Sequence, residues 1–401
     1  MEILSRRIYA SRLDSWIGKG QIIVITGQRR SGKSYILKDF IQRHRGQDTY
    51  NIIYIDKEKK EFDDIKSYLE LNAHIDSRFD RTMHNVILID EVQDIREWER
   101  SLRSYSTEDN TDIIITGSNS KILSGELGTI LGGRYQEIFV QPLTYSEFLE
   151  FHCLQDSDDS LEKFINVGGL PGLRKIGLSD EEHVSDYVRT VFYTIMLKDV
   201  IERHNIRNIP FLNNLVSFLA DNIGKLNSAT NIRNTMKVQG KDVATKVILD
   251  YLSYFTEAYL LSDVRRFDIH GKKEFEFNDK VYFSDLGIRN VIVGGERTRD
   301  IEKIIENIVY NQLVHDGFTV RVGHLHAGEI DFVCTKPGHR IYVQVAYLIV
   351  NDDTREREFG NLKKINDNYP KYVISMTPLI SRANDDGIIH LGLREFLING
   401  L

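Results

Sequence analysis

Eight residues, GQRRSGKS from Gly27 to Ser34, have the types and spacing of a phosphate-cradling loop, G-x-x-x-x-G-K-[ST]. Such a loop needs glycine where the backbone turns with positive φ or runs close to a ligand, and Gly27 and Gly32 supply it. Lys33 offers a point charge to the β- and γ-phosphates of a nucleotide, and Ser34 a hydroxyl to the accompanying Mg2+. Gln28, Arg29, Arg30 and Ser31 complete the binding loop, with the two arginines expected on its outer rim. Downstream, VILIDE ends an apolar run in Asp90 and Glu91. At a strand end facing the ligand crevice, Asp90 reads as a Mg2+ ligand and Glu91 as the catalytic carboxylate that polarises water. A kinase would need that acidic pair less. In IIITGSNS a polar residue past the next strand is placed to touch the γ-phosphate or the water. Ser118 is the first candidate and Asn119 the second, with a turn or capping role open for either. Arg134, after Gly132 and Gly133, is a surface arginine or an arginine finger reaching another chain's nucleotide. The cofactors implied are ATP and Mg2+, and a finger in trans implies a homo-oligomer.

Elements in a fixed order must position these residues. QIIVITG, NIIYID, NVILID and DIIITGS are short β-branched runs, and YQEIFVQPL holds a fifth strand. KSYILKDFIQRH, IKSYLELNAHI and WERSLRSYS have helical spacing between them. Strands alternating with helices give a mainly parallel sheet covered on both faces. Residues 1–150 are therefore expected to form a P-loop ATPase core. From 151 to 209 the pattern is helical. Residues 210–295 read helix, helix, helix and hairpin, the order of a winged helix. Residues 296–401 return to mixed α/β.

In the winged helix, KDVATKVILDYLSYF is the expected recognition helix, with Lys241, Thr245 and Lys246 on its polar side and Val247, Leu249 and Leu252 inward. RRFDIHGKKEFEF is the expected wing, with Arg265, Arg266, Lys272 and Lys273. These imply phosphate contacts to duplex DNA. The interleaved Asp250, Asp263, Asp268 and Glu274 leave a protein-interaction module or rigid spacer as the other reading.

Taken in order, GQRRSGKS, VILIDEVQ, IITGSNS, LGGRYQEIFVQPLTYSEF, VGGLP, YFSDLGIRN and EIDFV resemble the bacterial and archaeal AAA-type ATPases that carry a further conserved C-terminal domain. The resemblance covers nearly the whole chain. It implies ATP binding and hydrolysis, a helical lid carrying Gly168, Gly169 and Pro171, a winged helix and a nuclease-like tail. The tail in turn resembles the restriction-endonuclease-like core, in which an acid and then an acid-x-lysine pair hold Mg2+ and activate water. Glu306 and Asp331 match that pattern, Gln344 replaces the second acid, and Ala346 replaces the lysine. An amide oxygen can still ligate. Losing the lysine removes the group that orients water, so the site is expected to be degenerate unless a lysine has migrated into it.

Bulk properties set outer limits. The net charge of −7 argues against a polyanion-coating protein, though not against a local basic face. The two cysteines, Cys153 and Cys334, are too far apart in sequence for metal-like spacing and suit a reducing compartment. With no run approaching a membrane span, the expected location is cytoplasmic. The fold expected is α/β: a P-loop parallel-sheet ATPase core, a helical lid, a winged helix and a restriction-endonuclease-like α/β domain. The function expected is ATP hydrolysis coupled to DNA or partner binding. A nucleotide-gated scaffold without nucleic acid and an active metal-dependent nuclease are the alternatives.

Overall fold

The computed structural model describes residues 3–46, 49–120, 133–238, 240, 243–269, 271, 273–274, 279–294, 300–326, 328–378 and 382–401. They divide into two compact units, Met1–Gln141 with Glu257–Tyr259, and Pro142–Thr256 with Leu260–Leu401.

The first unit is built on a parallel sheet of β1 (Ile22–Thr26), β2 (Tyr50–Asp56), β3 (His84–Asp90), β4 (Thr111–Gly117) and β5 (Tyr135–Phe139), in the order β2-β3-β4-β1-β5. Its strands are near-continuous isoleucine and valine runs because both faces are covered. Successive residues serve opposite cores, as the period of two requires. Val24, Ile87, Ile89 and Ile115 pack with Leu71, Ile75, Trp98 and Leu102 of helices Tyr68–Asp76 and Trp98–Tyr105. Ile23, Ile25, Val86, Leu88 and Ile114 pack with Tyr9, Leu13, Ile36 and Phe40 of helices Arg7–Trp16 and Lys33–His44. Glycine loops and carboxylates at the carboxyl edge thus rest on a doubly covered, dry sheet.

The second unit opens with helices Tyr145–His152, Asp158–Val167 and Glu181–Thr194. Helices Ile209–Asp221, Ala229–Val238 and Thr245–Glu257 follow. A three-stranded antiparallel sheet has the order β6-β10-β7, from β6 (Leu226–Asn227), β7 (Leu261–Val264) and β10 (Asp279–Phe283). Between β7 and β10, β8 (Arg266–Asp268) and β9 (Lys273–Glu274) leave that sheet. They form one edge of an eight-stranded mixed sheet, β15-β16-β14-β13-β12-β11-β8-β9. Its other strands are β11 (Thr319–Leu325), β12 (Gly328–Lys336), β13 (His339–Ala346), β14 (Lys371–Ser375), β15 (Ala383–Asp385) and β16 (Ile388–Gly392). Helix Asp352–Lys363 covers one face, where Phe359 and Leu362 meet Ile330, Val333, Tyr342 and Val373.

Two expectations are corrected here. In RRFDIHGKKEFEF the described residues 265–268 do not stand free as a wing but pair along the eight-stranded sheet. Val322 N donates to Arg265 O (2.9 Å), β8 pairs in parallel with β11, and the Arg266 guanidinium lies 2.8 Å from His324 Nδ1. The long neighbouring sheet offers β8 a ladder of backbone partners that a free wing would lack. The inward face of helix Thr245–Glu257 is Ile248, Tyr251 and Phe255, while Leu249 is 54% exposed. That stripe at i, i+3 and i+7 is the alternative phase of the same apolar pattern. Lys241 and Lys272 lie outside the described residues.

The motifs VGGLP and SDLGIRN meet within the second unit. Asp285 caps helix Leu286–Val293 by accepting from Ile288 N (3.0 Å), and it also accepts from Gly169 N (2.7 Å). Asn290 Nδ2 donates to Ile165 O (2.8 Å) and Asn166 O (3.1 Å). Arg289, 1% exposed, donates to Ala220 O (3.0 Å) and to Asp300 (2.6 Å). Among the described residues, no helix is long and apolar enough to cross a membrane.

Candidate nucleotide site

The loop Gly27–Gly32 joins β1 to helix Lys33–His44. Gly27 has φ +141°, and a Cβ there would lie 2.1 Å from Val140 O, so only glycine fits. Gly32, at φ +101°, turns the chain into the helix, whose N-terminus no side chain caps. A helix start of this kind presents unpaired N–H groups and a positive dipole end to an anion. Lys33 is 4% exposed, and its ammonium donates to Gly27 O (3.0 Å) and Gln28 O (3.1 Å). Arg29 is half-buried and Arg30 is exposed at φ +68°, so Arg30 is on the rim. The Gln28 amide and the Ser31 hydroxyl are buried in the loop without hydrogen-bond partners.

Loop and sheet are braced from residues the motifs did not single out. Arg6, 6% exposed, donates to Ser31 O (3.1 Å) and Gln141 O (2.7 Å) while its guanidinium lies 4.5 Å from the Tyr9 ring centroid. Thr26, the last residue of β1, donates to Glu137 Oε1 of β5 (2.5 Å).

Asp90 and Glu91 sit at the carboxyl end of β3, with β4 between that strand and β1. Thr116 of β4 ties the pair down. Its hydroxyl donates to Asp90 Oδ1 (2.5 Å) and accepts from Glu91 N (2.9 Å). The second Asp90 oxygen, Oδ2, is buried and has no hydrogen-bond partner of normal geometry, although the Ser34 hydroxyl is near enough to favour the charged form. Burial pushes the Asp90 carboxyl up to about 6, opposed by Thr116 and Ser34 and reinforced by Glu91 and Asp56. Glu91 has φ +55°, a left-handed conformation uncommon for a side chain of this size, and its carboxylate accepts from Gln93 Nε2. A buried, orphaned carboxylate oxygen beside a serine and an uncapped helix start is a donor set that fits Mg2+ with a triphosphate.

Ser118 and Asn119 are fully buried just beyond β4, within the same carboxyl edge. Arg134 is not on that edge. It precedes β5, and its carbonyl accepts from Ile22 N at the start of β1. One strand length, roughly 17 Å, separates those ends. Within its own chain Arg134 therefore lies at the opposite edge of the sheet from the loop. Asp56, which ends β2 in register with Asp90, is 3% exposed and joins the acidic edge.

Residues 19–149 match the family model described as an AAA domain, and residues 158–299 match a domain of unknown function, DUF8612. An uncharacterized protein of Haemophilus influenzae is 33% identical over 381 residues, spanning 93% of each chain. The chain belongs to that family of AAA-domain P-loop proteins. An uncharacterized protein of Methanocaldococcus jannaschii is 30% identical over 364 residues, covering 86% of this chain and 78% of that one. Among solved structures, the Walker-type ATPase PABY2304 of Pyrococcus abyssi superposes with a TM-score of 0.53 at 17% identity, over 72% of this chain and 96% of that one. At 72% of this chain, that likeness of fold reaches beyond the first unit.

In this AAA-family chain the second unit brings together the other expected constellation. Glu306 comes from helix Ile301–His315, Asp331 from β12 and Gln344 from the facing position on β13. Asp331 N donates to Gln344 Oε1 (3.3 Å), and Asp331 Oδ2 accepts from Val345 N (2.9 Å). Sequence reasoning missed four members. Lys280 and Tyr282 arrive from β10, Glu329 from β12, and Glu358 accepts from Gln344 Nε2 (3.1 Å). Alternation along β12 puts Glu329 and Asp331 on one face, which EIDFV makes readable; Lys280 carried no such signal.

The expectation that Asp90 ligates Mg2+ carries its own pH dependence. With its carboxyl raised to about 6, a proton competes with Mg2+ below that pH. Apparent Mg2+ affinity in ATP turnover is expected to hold from pH 8 to 7, then to fall towards tenfold per pH unit below 6. Mg2+ titrations of turnover at fixed ATP across pH 5–8 measure this, and a flat dependence would remove Asp90 from the metal.

Proposed function

We propose that the chain is a Mg2+-dependent ATPase whose nucleotide state gates a partner through the second unit. Lys33 and Ser34 hold phosphate and metal, Asp90 ligates Mg2+ directly or through water, and Glu91 orients the attacking water. Ser118 contacts the γ-phosphate. Bound Mg2+ neutralises charge on the phosphates during in-line displacement. The observation that carries this reading is Asp90: one oxygen is fixed by Thr116 and the other is buried without a partner beside the phosphate loop. The position of Arg134 at the far edge supports a role in trans, within a homo-oligomer.

Lys33→Ala is expected to weaken ATP binding by about two orders of magnitude or more, because a buried charge-assisted contact to phosphate is lost. Equilibrium titration with a fluorescent ATP analogue measures it. Retained affinity would exclude the loop as the nucleotide site.

For the gated partner, β8 and β9 joining the long sheet supports a protein partner over duplex DNA, since Arg266 is engaged with His324. DNA contact then rests on the polar side of helix Thr245–Glu257, where Lys246 is exposed. Turnover with and without duplex DNA, single strand and RNA discriminates these. Steeply salt-dependent stimulation by duplex DNA would overturn the protein-partner reading.

A further inference from the structure

A restriction-endonuclease-like tail implies a divalent cation held by Glu306, Asp331 and the residue at 344. The residues present do not fit one. Lys280 Nζ lies 2.8 Å from Glu306 Oε1, 2.8 Å from Glu329 Oε1 and 3.3 Å from Asp331 Oδ1, with its own side chain only 4% exposed. The Tyr282 hydroxyl also donates to Glu306 Oε1 (2.5 Å), and Val345 N already holds Asp331 Oδ2. Mg2+ demands near-octahedral oxygens at about 2.0–2.1 Å, and a cation at that distance from Glu306 and Asp331 would be pressed against the ammonium. Gln344 donates to Glu358 and accepts from Asp331 N, so its amide is engaged on both sides. Among the described residues, no group of three or more His, Cys, Asp or Glu has metal-holding geometry.

We infer that the Lys280 ammonium occupies the cation position of this cluster, making it a metal-independent internal salt bridge that ties β10 to helix Ile301–His315 and β12. Strand β10 lies in the three-stranded sheet, whereas Asp331 and Glu329 lie in the eight-stranded one, so the lysine joins two modules of the same unit. Glu306 and Asp331 raise the Lys280 pKa against its burial, so the ammonium stays charged. Burial and Asp331 in turn raise the Glu306 pKa. A lysine working as a nuclease's water-orienting group would need to sit beside the metal ligands, not between them. The inference is independent of the ATPase reading and is tested without nucleotide.

The test uses the full-length chain with Mn2+ alone, followed by electron paramagnetic resonance and by thermal melting. The parent chain is expected to bind no Mn2+ in a manner that depends on Asp331, and to cut no duplex DNA in Mn2+ in that manner. Lys280→Met is expected to melt roughly 6–20 °C lower, since three carboxylates lose their counter-ion. Mn2+ should raise the melting temperature of Lys280→Met further than that of the parent, and adding Asp331→Asn should abolish that difference. Should Lys280→Met fail to fold, Lys280→Met with Glu306→Gln removes one repelling carboxylate and is expected to recover a folded chain for the same measurement. Asp331-dependent Mn2+ binding or DNA cleavage by the parent would overturn the inference. So would a Lys280→Met chain that melts with the parent, or one that Mn2+ stabilises no further than the parent.

Discussion

Glu91→Gln is expected to leave ATP binding intact and to lower turnover by roughly 10²–10⁴-fold, the usual loss when a positioned general base is removed. The side chain keeps its length, and the backbone bond from Glu91 N to Thr116 Oγ1 persists, so the change is confined to the carboxylate. What disappears is the negative charge that draws a proton from water. Stability separates this from a structural role. Glu91 sits at φ +55°, a conformation that costs a residue with a Cβ roughly 1–2 kcal/mol, which Glu91→Gly would relieve. Glu91→Gly is therefore expected to hold its melting temperature while losing turnover like Glu91→Gln. Strain kept at one residue of an otherwise relaxed strand end is what a functional constraint produces. Single-turnover hydrolysis with pre-bound ATP measures the effect free of binding. Parent-like turnover in Glu91→Gln would remove Glu91 from the chemistry.

The acidic edge was readable because its signals are local. An apolar run that ends in Asp-Glu must deliver those side chains to the carboxyl end of its strand. The loop and the four flanking runs are equally local, so the parallel core follows from them. Thr116 was overlooked in favour of Ser118 because a strand's last inward residue looks like core. Its role emerges only when β4 is seen between β1 and β3. For Arg134 the flanking glycines suggest close approach, and only the register of β5 on β1 shows which edge of the sheet the residue occupies.

Elements of the second unit were legible and their partners were not. Strands β11 to β14 and helix Asp352–Lys363 follow the expected order. The hairpin β8–β9 reads as a hairpin in either sheet, because alternation fixes which residues share a face and says nothing about which neighbour supplies the ladder. The helix Thr245–Glu257 carries enough apolar residues for two phases, and packing selects Ile248, Tyr251 and Phe255. Lys280 is 26 residues from Glu306 and 51 from Asp331, separations at which sequence spacing holds no geometric information.

VGGLP and SDLG, two of the stretches that carry the family resemblance, make a second large expected effect, on folding. Gly168 has φ +77° and ψ −167°, a region open essentially to glycine alone, and a Cβ there would lie 2.5 Å from both Asp285 Oδ1 and Gly287 N. Gly168→Ala therefore forces apart the contact between the end of helix Asp158–Val167 and the start of helix Leu286–Val293. Asp285→Ala breaks the same junction from the other side. It leaves the Gly169 and Ile288 N–H groups buried without their acceptor, at roughly 1–3 kcal/mol for each. Each substitution is expected to lower the unfolding midpoint of the second unit by several degrees, and the double variant to cost less than the sum because both act on one contact. Urea unfolding of the full chain, read by hydrogen exchange, assigns the loss. Amides of β12 and β13 should open earlier, while those of β1 and β4 keep their protection. Nucleotide affinity should be retained, since both residues belong to the second unit and the phosphate loop to the first. A chain carrying Asp285→Ala that keeps full protection in β12 would show that the carboxylate is dispensable. The motif would then need a role outside the fold. Loss confined to the second unit would instead make VGGLP and SDLG two halves of one hinge-free joint.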